Sequence, residues 1–355
     1  MNQIASSLVN GVLSIEPLAK LAKHQARKMM INRAETLGVY WRDEVNALRS
    51  RHSDRSDRLD RSDGAVHTNE PPSEIHPDWE EELAAIANPN IVYPSYYTQK
   101  FHAYDEGNLG WLPAMEVGVA AQAVHARIWP EADERSGLQG DASLRASYHQ
   151  VLEELLPTPP NHIVDLGCST GRSSFALQKA FPAAQIIGVD LSPHFLTVAH
   201  YQAAAQHQTA NRSASLSEET DSEQADLEQT NKDPNIRWVH AAAEATSLPA
   251  ESADLVSACL VFHELPIAAA QQIVAEAYRL IRPGGHFAIM DMNPQSETFT
   301  KMQPYVLTLL KSTEPFLDQY LTLDIAKLLK EAGFSAPSVA RNTPRHRTIV
   351  AYKKE

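Results

Sequence analysis

"NHIVDLGCSTGRSSFALQKAFP", residues 161–182, decides the reading of this chain. His162 to Leu166 is a short apolar run with β character. A tight loop with Gly167 and Gly171 follows, and then a stretch with helical spacing. A strand feeding a glycine loop and a helix is how α/β proteins hold adenosine-containing ligands. The loop's chemistry narrows the choice. A dinucleotide fingerprint is G-x-G-x-x-G, with backbone N–H groups facing a pyrophosphate. Here the pattern is Asp165-x-Gly167-x-Ser169-x-Gly171, with a carboxylate at the strand end. That anion repels a pyrophosphate and suits a ligand with a cationic amino-acid end. No Lys-Ser or Lys-Thr follows the glycines, which excludes a phosphate-cradling P-loop.

Outward from this stretch the chain alternates β-rich and helical runs. Strands are expected at His162 to Leu166, Gln185 to Asp190, Ile236 to His240, Asp254 to Cys259 and His286 to Met290. Helices are expected around 172–181, 193–206 and 267–281. Such alternation builds a parallel sheet with helices on both faces. Two last runs, "PSVARN" and "RTIVAYKK", are separated by a short polar turn and close the sheet as a hairpin. An acidic stretch poor in apolar residues, about 207–235, interrupts the alternation and reads as a disordered insertion.

S-adenosylmethionine carries both an ammonium and a sulfonium, and so suits the loop carboxylate. Asp190 ends the second strand nineteen positions after Gly171, near the spacing of ribose-binding acids. A carboxylate accepts from two ribose hydroxyls at once. "VHAAAEATSLP" places Ala243 and Glu244 where an adenine meets a backbone N–H and a side-chain acceptor. With "VDLGCSTG", "GVDLS", "AAAEATSLP", "ADLVSACLVFHELP" and "LIRPGGHFAIMD" in order, residues 140–355 resemble the class I S-adenosylmethionine-dependent methyltransferases. The wording is nearest the branch that includes ubiquinone and menaquinone C-methyltransferases. The resemblance implies a Rossmann-like, seven-stranded, mostly parallel α/β sheet, with the cofactor across the carboxyl ends of strands one, two and four. It implies that Asp165, Gly167, Cys168 and Gly171 line the methionine end. Asp190 and Leu191 would hold the ribose, Ala243 and Glu244 the adenine, and Cys259 and Leu260 the sulfonium side. Ser169 stands in the same loop where many members have glycine; crowding without loss of binding is expected.

The remaining sequence divides into four parts. Residues 1–50 carry seven Lys or Arg against four Asp or Glu, and from Pro17 they follow helical spacing. This basic amphipathic extension either contacts an anionic membrane surface or packs on its own domain or a partner. Residues 51–75 read as a disordered linker, 76–155 as a helical lid or substrate segment, and 156–355 as the cofactor-binding domain. The whole chain has a net charge of −13, which argues against a nucleic-acid partner. Two cysteines and no membrane-length apolar run suggest a soluble protein of the cytoplasm, peripheral on a membrane at most. Nothing in the sequence names the oligomer.

The methyl acceptor is expected to be a small molecule, lipophilic or aromatic. "YPSYYTQKFHAYDEGNLGWLP" concentrates aromatic residues, of which Tyr96, Tyr97, Phe101 and Trp111 are candidate substrate contacts. His102 and Tyr104 bring groups able to handle protons. His263 of "FHELP" leaves the fourth strand on the cofactor side and is the third catalytic candidate. No cluster has metal-ligand spacing, so no metal is expected. The alternative is a catalytically silent scaffold or assembly factor that binds the same cofactor.

Overall fold

The computed structural model describes residues 16–51, 75–100, 104, 106–218 and 235–354. Residues 52–74 of the linker, Phe101 and His102 lie outside the described residues, as does 219–234 of the polar stretch. In chain order the helices before the sheet are α1 (Glu16–Thr36), α2 (Trp41–Arg49), α3 (Asp78–Ile86), α4 (Trp111–His125) and α5 (Gly140–Leu155). Then come β1 (His162–Leu166), α6 (Arg172–Ala180), β2 (Gln185–Asp190), α7 (Pro193–Glu218), β3 (Ile236–His240) and β4 (Ala253–Cys259). After these follow α8 (Ile267–Leu280), β5 (Ile281–Met292), α9 (Glu297–Thr300), α10 (Pro304–Thr313), α11 (Leu317–Thr322) and α12 (Ile325–Glu331). The hairpin β6 (Ser338–Arg341) and β7 (His346–Tyr352) ends the chain's regular structure.

The seven strands form one sheet in the order β3-β2-β1-β4-β5-β7-β6. Strands β1 to β5 pair in parallel, and β7 inserts antiparallel between β5 and β6. Alternate residues of each central strand feed opposite faces. Val164, Val256 and Ile289 join the core under α8 and α12. Their neighbours Ile163, Leu255 and Met290 join a second core with α5 and α6. Because both faces are covered, β4 is buried along its whole length and shows no polar alternation.

A third cluster lies outside the sheet. Ile31 and Ala34 of α1, Trp41 of α2, Trp79 of α3 and Met115 of α4 pack with Phe195 of α7. The basic extension and most of the following helical segment therefore share one core, while α5 belongs to the sheet. Arg27 of α1 turns toward the protein, where it pairs with the buried Glu116 of α4. The described half of α1 thus packs on its own domain, although Met29 stays exposed. Among the described residues no helix is long and apolar enough to cross a membrane.

Two elements run longer than the sequence pattern suggests. Helix α7 continues to Glu218, eleven residues or so into the expected insertion, because residues 207–218 hold no Gly or Pro to stop it. Strand β5 starts at Ile281, which pairs with Ala253 ahead of an irregularity at Pro283–Gly285, where Gly284 has φ +79°. It ends at Met292, held by antiparallel pairing with β7.

Candidate active site

The carboxyl ends of β1, β2 and β4 open into a cavity of about 540 Å³. Gly167, Cys168 and Ser169 form its floor on one side, with Asp190 and Leu191 beside them and Ala243 and Glu244 beyond. Cys259 and Leu260 lie across from the loop. Four sequence-separated turns converge here because each leaves a parallel strand at the same edge of the sheet, on either side of the switch between β1 and β4.

The loop's backbone explains its composition. Gly167 has φ +70°, and a Cβ there would stand 2.6 Å from Val261 Cγ2. Gly171 has φ +83°, with Trp238 Cη2 2.7 Å from where its Cβ would sit. Ser169 also has a positive φ, +52°, and its buried hydroxyl has no hydrogen-bond partner. This serine therefore carries backbone strain and an unsatisfied hydroxyl. Leu260 shares this left-handed geometry, with φ +61°, which places local strain on both walls of the cavity.

Asp190 braces the loop as well as facing the cavity. Its Oδ2 accepts from the Ser169 N–H at 2.8 Å, and its Oδ1 from the Ser192 N–H at 2.8 Å and the Tyr97 hydroxyl at 3.3 Å. Asp165 differs from expectation. It is fully buried beneath the loop, where its Oδ2 accepts from the hydroxyls of Ser173 and Ser174 at 2.6 and 2.7 Å. Burial pushes its carboxyl up to about 6, against those hydrogen bonds. It supports the first turn of α6 and does not line the cavity. Gly171 likewise caps α6 without lining it.

Each of these features suits S-adenosylmethionine. Glu244 has one oxygen bound by the Tyr96 hydroxyl at 2.8 Å, while its buried Oε2 has no partner and is free to accept from an adenine amino group. Acceptors at Asp190 suit ribose hydroxyls. At the other end two guanidiniums, Arg145 and Arg172, reach the cavity wall and converge on Asp141, with contacts of 3.2 and 2.6 Å. His125 completes that cluster at 2.7 Å. Burial opposes the Asp141 charge, but the guanidiniums hold its carboxyl far below the usual range.

Residues 164–289 match the family described as a methyltransferase domain. That stretch is a methyltransferase domain, and its sheet order and strand-end loops are those of the class I S-adenosylmethionine-dependent type. An uncharacterized methyltransferase of Synechocystis sp. is 25% identical over 190 residues, 53% of this chain and 74% of the relative. The demethylmenaquinone methyltransferase of Thermus thermophilus is 25% identical over 145 residues, 41% of this chain and 53% of the relative. The match thus spans only about half of the second relative's length. Among solved structures, a phosphoethanolamine N-methyltransferase of Haemonchus contortus bound to S-adenosylmethionine has a TM-score of 0.45 and 15% identity. That comparison covers 76% of this chain and 62% of the other. The methyltransferase's cofactor is S-adenosylmethionine, and the silent scaffold is not favoured.

The aromatic segment is divided between the cavity and the third core. Tyr96 and Tyr97 line the methyltransferase's cavity, and their hydroxyls are donated to Glu244 and Asp190. Trp111 is not in the lining. It packs on Trp79 and His194 and donates to Glu80 Oε1 at 2.7 Å, which makes it part of the third core. Tyr104 lines the cavity with its hydroxyl donated to Glu116 Oε2 at 2.9 Å. Burial and that carboxylate raise its phenol well above the usual value, so it stays protonated and is no base.

His263 does face the cavity, and its Nδ1 lies 2.8 Å from Asp291 Oδ1. Burial alone would lower its pKa. The carboxylates of Asp291, Glu264 and Glu314 prevail and push it up to about 10. It is an imidazolium at neutral pH. The two cysteines are both free, and burial raises both thiols, Cys259 to about 12, so neither is poised for redox chemistry.

Several lining residues carry no sequence signal. Arg27 and Met30 come from α1, and Arg145 from α5. Arg172 directly follows Gly171 and was readable as the first residue of the loop's helix. The others depend on helices that dock from far along the chain.

Proposed function

We propose that this methyltransferase alkylates a small lipophilic or aromatic acceptor that enters beside α4. The observation that carries this reading is the continuity of the cavity. The cavity that holds the loop and Leu260 is also lined by Val117, Ala120, Ala121 and Val124 of α4, together with Met30 and Leu310. The residues on α4 recur at helical spacing, so one face of one helix supplies a broad apolar surface. A hydroxylated aromatic ring or quinol fits such a wall with its polar edge toward His263. One relative is a demethylmenaquinone methyltransferase, which accords with that acceptor class.

Asp190 would hold the ribose hydroxyls, Ala243 and Glu244 the adenine, and Arg145 and Arg172 the carboxylate of the amino-acid end. When bound, S-adenosylmethionine supplies an electrophilic methyl group on a cationic sulfur. The protein's own part is chiefly orientation, since an in-line displacement gains most from holding the reacting atoms on one axis. Leu260 and Val261 give the cavity apolar lining, which would help exclude water once it is filled. His263 keeps its Nδ1 proton on Asp291 and presents Nε2–H to the acceptor oxygen. Glu264, whose Oε1 lies 4.0 Å from that Nε2, is the group placed to take up a proton.

The test is an acceptor screen with purified protein and S-adenosylmethionine. Release of S-adenosylhomocysteine with a methylated phenol or quinol is expected. Cofactor binding without turnover on any phenol, quinol or amine would favour the scaffold.

A further inference from the structure

The tyrosines of the segment before α4 hold the two acids assigned here to adenosine, and the hydrogen-bond arithmetic at Asp190 is restrictive. An ionised carboxylate offers about four acceptor sites. The Ser169 and Ser192 N–H groups take two, and the Tyr97 hydroxyl takes a third. The backbone donors cannot leave without undoing the glycine loop and the start of α7. The Leu191 N–H also faces this carboxylate, so a ribose with two vicinal hydroxyls needs two sites and at most one is left.

Glu244 is different. Tyr96 occupies its Oε1, and its buried Oε2 has capacity for an adenine amino group without displacing anything. Tyr96 is also wedged edge-on against Phe316 and Tyr97, with ring centroids 6.4 and 6.5 Å apart. Tyr97 shares that edge contact with Tyr96 and also stacks on Tyr93, with centroids 6.3 Å apart and planes 13° from parallel. Burial and the nearby Asp190 keep the Tyr97 phenol protonated, so it remains a donor. Tyr93 anchors this stack to β3: its hydroxyl is 3.3 Å from His240 Nε2. His240 is itself fixed, because its Nδ1 accepts from the Asn88 N–H at 2.8 Å and its Nε2 donates to the Leu191 carbonyl at 3.0 Å.

We infer that Tyr97 is a latch on the cofactor pocket, standing in for a ribose hydroxyl on Asp190, and that the cofactor binds by displacing it. Tyr96 stays in place as the positioning residue for the adenine end. The inference rests on Asp190 being the ribose acid. It makes the pocket self-satisfied when empty, since no buried carboxylate oxygen of Asp190 waits without a donor. It also makes cofactor affinity a difference between two sets of hydrogen bonds to one carboxylate.

The experiment is calorimetric titration of the full chain, wild type and Tyr97→Phe, with S-adenosylhomocysteine and with its analogue lacking both ribose hydroxyls. Tyr97→Phe removes the competing donor. It is expected to bind S-adenosylhomocysteine about three- to tenfold more tightly, the range of one net hydrogen bond. The analogue should show no such gain, because it leaves the latch closed in either protein. Weaker binding of S-adenosylhomocysteine to Tyr97→Phe, or an equal gain for both ligands, overturns the latch. Asp190→Ala separates the two assignments. Loss of S-adenosylhomocysteine binding in Asp190→Ala, with no change in Tyr97→Phe, overturns the latch alone. Unchanged binding in Asp190→Ala overturns the ribose assignment and the latch with it. Thermal melts of each variant confirm that folded protein is being titrated.

Discussion

His263 Nδ1 lies 2.8 Å from Asp291 Oδ1, and the His263 backbone N–H reaches the same carboxylate's Oδ2 at 3.1 Å. One carboxylate from the end of β5 therefore clamps both the ring and the backbone of the turn after β4. With Glu264 and Glu314 nearby, the imidazole's pKa rises to about 10 from an ordinary 6.5, although burial opposes the charge. A raised value in the folded state means that the stabilisation is complete below about 6.5. It is lost as pH climbs through about 10. Melting temperature should fall from pH 7 to 10 more steeply in the wild type than in His263→Gln. In activity, the same shift predicts no rising limb of kcat/KM near pH 6.5 attributable to His263 and a decline approaching pH 10. Asp291→Asn should move that decline to lower pH. A rising limb near 6.5 that vanishes in His263→Gln would show that the neutral imidazole is the working form.

Ser169 adopts a left-handed backbone conformation with its hydroxyl buried and unpartnered. For a non-glycine residue this geometry costs about 1–2 kcal/mol, part of which glycine gives back in chain entropy. Ser169→Gly should raise stability by about 0.5–1 kcal/mol in urea unfolding and change cofactor affinity by less than about threefold. Ser169→Val, branched at Cβ, should lose both stability and binding.

Gly167 carries two separable constraints: its positive φ and the close approach of Val261. Gly167→Ala should destabilise the protein and abolish cofactor binding. Adding Val261→Ala opens the space and leaves the backbone penalty in place. The double variant should therefore recover part of the melting temperature but not all of it. Full recovery would mean that contact with Val261 alone selects glycine here.

Glu116 is buried and receives both Arg27 of α1 and the Tyr104 hydroxyl. Glu116→Gln leaves a guanidinium and a phenol short of their charged acceptor, at a cost of about 1–3 kcal/mol. Hydrogen exchange should quicken in residues 16–36 while the β1–β5 amides keep their protection. Uniform protection across α1 in this variant would mean that apolar packing at Ile31 and Ala34 holds the helix alone.

Three of the five parallel strands are legible in the sequence to the residue; β4 begins one residue earlier than expected and β5 runs longer at both ends. The bounds of β1, β2 and β3 coincide with the apolar runs 162–166, 185–190 and 236–240. Each run is short, continuous and bounded by turn residues, and its strand conformation follows from local chemistry. The cofactor end is legible for the same reason. Gly167, Ser169 and Asp190 sit at strand ends, and the strand's direction alone tells which edge they reach. The end of α7 was not legible. Its last turns have no apolar face, so composition resembled a loop while helix propensity continued.

What the sequence by itself determined is thus the strands, the loop that turns back on the cofactor and the acid that follows. These depend on residues within about thirty positions of one another. Only the tertiary structure decided that β7 inserts between β5 and β6, that His263 meets Asp291, and that Arg27 closes on Glu116. It also made Tyr97 and Tyr96 partners of Asp190 and Glu244, 93 and 148 positions away. A hydroxyl's partner is chosen by whichever buried acceptor the packed helices bring within about 3 Å. No local pattern in the chain carries that distance.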